Sequence, residues 1–328
     1  MAGGALPCLH AAGRQPPAAL SQAAKQKTAI KANLARRTIK MVLQQDLSQK
    51  ESESGRHFGV SLLFKENTPL PDKDTLLNIL KKHLGDVTLM SSGENMAAFS
   101  ADKYKVTIEG HELTPQLVLM KCAEIDAPLL DEIAATQLWD CENAETVLRE
   151  CHYRIAATDM LSAVLDYREH AKMLTEYTEA LMEAFPACEA VLFENSKKMH
   201  AREDIVNCDF PRDFRFIHYA VNVRFFRLEG SDDFIVDSLG MSMMELPDVQ
   251  YHFHGLDVSY VINHAYALLS YLFDNGAVIK PGDTFDGVDE AGEITSEVQW
   301  QLNYEESLIQ PVREVLDVNT GVYAAGDR

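Results

Sequence analysis

His252 and His254 stand two residues apart in the run Tyr251-His252-Phe253-His254, Asp257 follows closely, and His264 comes seven residues after that. On an extended strand, residues two apart project to one face, so two imidazoles could reach one metal ion. With Asp257 and His264 they would form a histidine and carboxylate set suited to zinc, manganese or iron, the basis of a metal-dependent hydrolase. A reading without metal needs fewer assumptions. Asp257 directly precedes an apolar run of helical period and is explained as its N-cap. His264 falls on the flank of that helix, about 100° from the centre of its apolar stripe. Histidines beside Tyr251 and Phe253 can bond locally. No cofactor is therefore expected, and one divalent metal, zinc or manganese, is the alternative.

Other chemistry-bearing residues are weaker. Residues 281–299 hold Asp283, Asp286, Asp289, Glu290, Glu293 and Glu297 and no base. A calcium loop needs oxygen ligands at alternate positions, and this spacing fails that test. Gly282, Gly287 and Gly292 mark turns instead, so the acids read as a solvated hairpin. Asp283, Asp286, Asp289, Glu290 and Glu293 are the candidate docking surface for a basic protein partner. Cys151 and His152 are adjacent, but on a strand adjacent side chains point to opposite faces and cannot make a thiolate pair. Lys197–Arg227 interleaves seven bases with aromatics. That pattern can bind single-stranded nucleic acid, yet the aromatics read better as core. The chain lacks a dinucleotide fingerprint, a phosphate loop and a nucleophile elbow.

The elements that must position these residues follow from periodicity. Strands are expected at His57–Phe64, Val87–Met90, Met96–Ser100, Tyr104–Glu109 and Gln116–Lys121, with a helix capped by Asp72 or Asp74 and stopped by Gly85. Ile125–Leu138 reads as one helix. A strand over Cys151–Thr158, a helix over Asp166–Phe185 and a strand over Glu189–Phe193 form a second strand–helix–strand unit. Strands at His218–Leu228, Phe234–Ser238 and Tyr251–His254 follow. The helix after Asp257 buries Val258, Val261, Ile262, Ala265, Leu268, Leu269 and Leu272, and Gly276 ends it. Ile294–Tyr304 is a last strand. The expected class is α+β, with antiparallel or mixed sheets covered by helices and two pseudo-repeated split β/α units. The first unit spans 57–140 and the second 147–318.

The chain has 328 residues and a formal net charge of −20. Residues 1–41 carry seven bases and no acid, which leaves −27 on residues 42–328. A body this acidic repels phosphate backbones and anionic lipid surfaces, so neither a nucleic-acid nor a membrane partner is expected. Six cysteines show no metal or disulfide spacing, which suits the cytoplasm. Residues 1–50 read as a disordered or leader-like tail, and Met41 is an alternative first residue.

Five segments in the last third act as a set: Val236–Met241, Leu246–His254, Val261–Tyr266, Gly282–Gly287 and Gln310–Val315. Together they resemble the bacterial family catalogued as domain of unknown function 4261, over about residues 234–318. The resemblance implies a domain extent and carries no activity. The expected function is a non-catalytic binding or adaptor protein of the immunity or effector-associated kind, with the His252/His254/His264 hydrolase as the alternative.

Overall fold

The computed structural model describes residues 43–51 and 58–326. The expected tail therefore lies outside the described residues except at 43–50. Within the described residues there are seven α-helices and three sheets, antiparallel and mixed, an α+β fold. The chain forms two compact units.

The first unit, residues 58–221, runs β1 (Gly59–Phe64), α1 (Lys73–Leu84), β2 (Thr88–Ser92), β3 (Met96–Ser100), β4 (Val106–Ile108), β5 (His111–Leu113), β6 (Gln116–Met120), β7 (Ala123–Glu124), α2 (Glu132–Ala135), α3 (Ala144–Glu150), β8 (Tyr153–Met160), α4 (Tyr167–Ala184), β9 (Ala190–Phe193), β10 (Lys198–Ala201), α5 (Arg202–Val206) and α6 (Arg215–Ala220). Its main sheet has the order β10-β9-β1-β8-β6-β3-β2, with β7 also on β8. Asp72 caps α1 by accepting from the Asp74 and Thr75 amides, and Gly85, at φ 85°, closes it. Lys82 and His83 of α1 meet Glu183 of α4. A hydrophobic cluster sets Leu63, Ala190, Leu192 and Met199 against Leu138, Cys141, Ala144, Val147 and Cys151.

The structure departs from the sequence pattern at four places. The break between units comes at Val221/Asn222 rather than at 140–147, because β8 pairs with β1 and ties both expected halves into one sheet. Ile125–Leu138 holds only the single turn α2, since Pro128 cannot occupy a helix interior. Tyr104–Glu109 is shortened to β4: Glu109 (φ 51°) and Gly110 (φ 82°) turn the chain into β5, and the two strands form a separate two-stranded sheet. The segment His218–Leu228 begins inside α6, where Phe216, Ile217 and Ala220 are buried at helical spacing.

The second unit comprises residues 43–51, 222–242 and 246–326. It contains β11 (Asn222–Arg227), β12 (Phe234–Leu239), β13 (Asp248–Phe253), α7 (Val258–Asn275), β14 (Thr284–Val288), β15 (Ile294–Glu306) and β16 (Glu314–Asn319). The sheet order is β11-β12-β13-β16-β15-β14, antiparallel except for β13 with β16. Helix α7 covers one face, with Val261, Ala265, Leu268, Leu269 and Leu272 fully buried.

Candidate functional site

The four residues read as a metal set take different positions. Asp257 caps α7, its carboxylate accepting from the Ser259 amide at 2.9 Å and the Ser259 hydroxyl at 2.6 Å. His264 is fully buried rather than on an open flank, because the β14–β15 hairpin closes over that side. Both its ring nitrogens are engaged: Nδ1 with the Tyr251 hydroxyl and Nε2 with the Asp286 carbonyl, each at 2.8 Å. The Trp300 ring lies 4.5 Å away and the Phe285 ring 5.5 Å away. Burial, opposed by the Asp286 carbonyl, depresses the His264 pKa to about 4, so the ring is neutral at pH 7. Tyr251 reaches toward α7, so its neighbour His252 faces the other side of β13. There His252 Nε2 lies 3.6 Å from an Asp233 carboxylate oxygen. His254 lies past the end of β13, exposed, with its amide donating to Tyr323. Within the described residues no three His, Cys, Asp or Glu side chains converge on a metal position.

The face opposite α7 carries a polar belt. Register aligns Arg224 with Asp237, Asp237 with Gln250, Gln250 with Asp317, and Asp317 with Asn303. Residues paired in register share a face, so these five form one row across β11, β12, β13, β16 and β15. Arg224, Asp237, Gln250 and Asp317 are all buried. Arg224 donates twice to Asp237, Nε at 2.9 Å and also Nη2. Arg313, from the loop before β16, donates from Nη2 to Asp237 at 3.0 Å and from Nε to Asp248 at 3.3 Å. Asp248 also accepts from the Ser238 hydroxyl at 2.7 Å and the Met241 amide at 3.2 Å. Gln250 donates to Asp317 at 3.1 Å and accepts from the Leu308 amide at 2.6 Å. Burial works against the Arg313 charge, but Asp248 and Asp237 outweigh it and hold the guanidinium above its ordinary pKa. These groups satisfy one another, and the Arg224 bond to the Gln310 carbonyl fastens the 307–313 loop to the sheet. Their chemistry is cohesion.

The acidic residues occupy the outermost hairpin. Strand β14 ends the sheet order and pairs with β15 through a bulge between Asp286 and Gly287. Asp283 accepts from the Lys280 amide at 2.8 Å, and Asp289 accepts from the Ala291 and Glu293 amides at 2.9 Å, so these two shape turns. Asp286 accepts from Gln299 across the hairpin at 2.7 Å. Glu290, Glu293 and Glu297 are exposed. Gly292, at φ 83°, lies against the Tyr260 ring, where a Cβ would come within 2.4 Å. That contact fixes the hairpin tip to α7.

Sequence reasoning missed a titratable cluster in the first unit. Lys198, 1% exposed, donates to the Val221 carbonyl at 2.9 Å and lies 3.3 Å from Asp140. His200 reaches the His218 carbonyl at 3.1 Å, their rings are 5.2 Å apart, and Phe210 stacks on His218 at 4.0 Å. Burial, helped by the Lys198 charge, depresses His200 to about 4, and burial with its His200 neighbour depresses His218 further. Lys198, His200 and Asp140 share an interior on one side of β10, while Met199 is buried in the Leu63 cluster on the other, so both faces of this strand are covered. Much of the basic and aromatic run is likewise turned inward: Arg215 bonds Glu179, Arg224 bonds Asp237, and Phe216 and Tyr219 are core. Cys151 ends α3 rather than starting a strand, and burial pushes its thiol pKa up to about 11.

The second unit is thus a helix-backed mixed sheet whose other face is closed by a buried ionic belt. Its residues 237–319 match the sequence model of the family described as Domain of unknown function (DUF4261). No curated protein and no solved structure matches the chain. The motifs behind the resemblance coincide with the belt (Asp237, Ser238, Asp248, Gln250, Arg313) and with the knot of Tyr251, His264 and Phe285, so they are residues that hold this sheet together.

Proposed function

We propose that the protein is a non-catalytic binding or adaptor protein of the bacterial cytoplasm, of the immunity kind, that docks a basic partner through the β14–β15 hairpin. One observation carries this reading: β14, with Asp286, ends the order of the second sheet, and the hairpin it forms holds exposed Glu290 and Glu293 in its turn and exposed Glu297 on β15. An open strand edge offers backbone donors and acceptors to an extended segment. Acids clustered in the same hairpin repel a second copy of it and favour a basic strand. Of the residues read as a metal set, Asp257 is engaged as the cap of α7 and His264 with Tyr251 and the Asp286 carbonyl, which supports a role without catalysis. In the described residues no helix is long and apolar enough to cross a membrane.

The test is fluorescence anisotropy with a labelled Lys- and Arg-rich peptide at low and high salt. Combined Glu290→Lys, Glu293→Lys and Glu297→Lys should weaken binding about tenfold or more at low salt. Reversing the exposed Glu94, Glu112 and Glu229 changes net charge equally and should have a much smaller effect. Equal losses from both sets would reduce the interaction to overall charge and remove the docking site.

A further inference from the structure

Residues 45–51 are laid along the 307–313 loop of the second unit. The Glu51 amide donates to the Val312 carbonyl at 2.9 Å, and the Val312 amide donates to Gln49 at 2.7 Å, a parallel bridge centred on Lys50 and Val312. Gln45 donates to the Leu308 carbonyl at 3.0 Å and accepts from the Gln310 amide at 3.2 Å. The Gln310 side chain accepts from the Asp46 amide and donates to Gln49 at 3.3 Å. Ser242 donates to the Glu51 carboxylate at 2.7 Å, and that carboxylate also favours the charge of Arg313.

This attachment is almost wholly polar. Residues 44–50 are exposed, and the apolar Leu47 is 54% exposed. The loop beneath is different, because Arg224, Arg313 and Gln250 fasten it to the buried belt. A segment without buried apolar side chains, joined only by exposed and part-buried polar bonds, opens far more readily than the sheet below it. Opening leaves in place the Val312 amide and carbonyl, the Leu308 carbonyl, the Gln310 carboxamide and the Ser242 hydroxyl. Such a row takes an extended chain by strand addition.

We propose that residues 45–51 are a displaceable strap on a peptide-receiving edge formed by residues 307–313 with Ser242. The ligand in trans is an extended segment of another protein, entering parallel to Val312, with carboxamides at the Gln45 and Gln49 positions and a carboxylate at the Glu51 position. The strap's own contacts are the template for that chemistry. The site is separate from the acidic hairpin, and its ligand is read by amides rather than by positive charge.

The test uses the full chain and a labelled peptide with the sequence of residues 44–51, beside a scrambled control. Gln45→Ala with Gln49→Ala loosens the strap and leaves the edge intact. That variant should bind the peptide about tenfold tighter than the unaltered chain, since a closed strap competes for the edge. Adding Gln310→Ala should abolish the gain. In the unaltered chain, the Val312 amide should exchange with solvent about a hundredfold faster than that of Leu316 in β16. Equal binding by the scrambled peptide, no gain in the loosened variant, or Val312 exchange as slow as Leu316 would each overturn the proposal. A dimer of the loosened variant forming without peptide would also overturn it, because the edge would then belong to a second copy's strap.

Discussion

His264 joins the aromatic knot to the helix and accounts for an acid-sensitive stability. Its pKa is about 4 when folded and 6.5 for an ordinary histidine. Between those values the unfolded chain binds a proton that the native chain refuses, so stability is full above about pH 6.5 and falls as pH drops. His200 and His218 act in the same direction. Each buried histidine contributes a slope of up to about 1.4 kcal/mol per pH unit in that window. Melting temperature should therefore fall between about pH 7 and pH 5, before most carboxylates titrate, and His264→Gln should remove its share of the slope. A flat profile would contradict the burial of these rings. Arg313 makes a second residue-scale case. Arg313→Met would leave Asp237 and Asp248 without its guanidinium in a closed interior and should cost about 3–5 kcal/mol in denaturant unfolding. Arg313→Lys should recover only part of that, because one ammonium cannot reproduce the forked donors that reach Asp237, Asp248 and the Pro311 carbonyl.

At the element scale, helix α7 was legible from end to end. Its cap, its closing glycine and its apolar stripe from Val261 to Leu272 agree, Val258 in the first turn is only half-buried, and Leu269 is fully buried as expected. Leu269→Ala should cost about 2–5 kcal/mol by thermal or denaturant unfolding, and a change typical of a surface site would contradict this packing. The belt was not legible. Arg224, Asp237 and Gln250 are each thirteen residues apart, but Asp317 joins them only through the parallel β13–β16 pairing, which no local pattern announces. Strand β10 was missed because it is buried on both faces with Lys198 and His200 on one of them, so its polar residues do not mark a solvent face. His264 was assigned to a flank because a helical wheel cannot show a hairpin from residues 284–306 folding over it. Gly287 belongs to that hairpin: a Cβ there would lie 2.8 Å from both Trp300 Nε1 and Val298 Cγ1. Gly287→Ala should destabilise by about 1–3 kcal/mol, and a neutral result would show that the bulge relaxes freely.

For the whole molecule, a charge of −20 limits partners but does not place them. The fold does, by putting one stretch of acids on the terminal β14–β15 hairpin and using other charges, in the belt and around Lys198, as internal fasteners. Hydrogen exchange of the full chain with and without a Lys- and Arg-rich peptide tests this most directly. The account predicts new protection at the amides of Thr284–Val288 that do not bond β15, lost again in the Glu290→Lys, Glu293→Lys, Glu297→Lys variant. Protection spread over other acidic surfaces with β14 unchanged would contradict it.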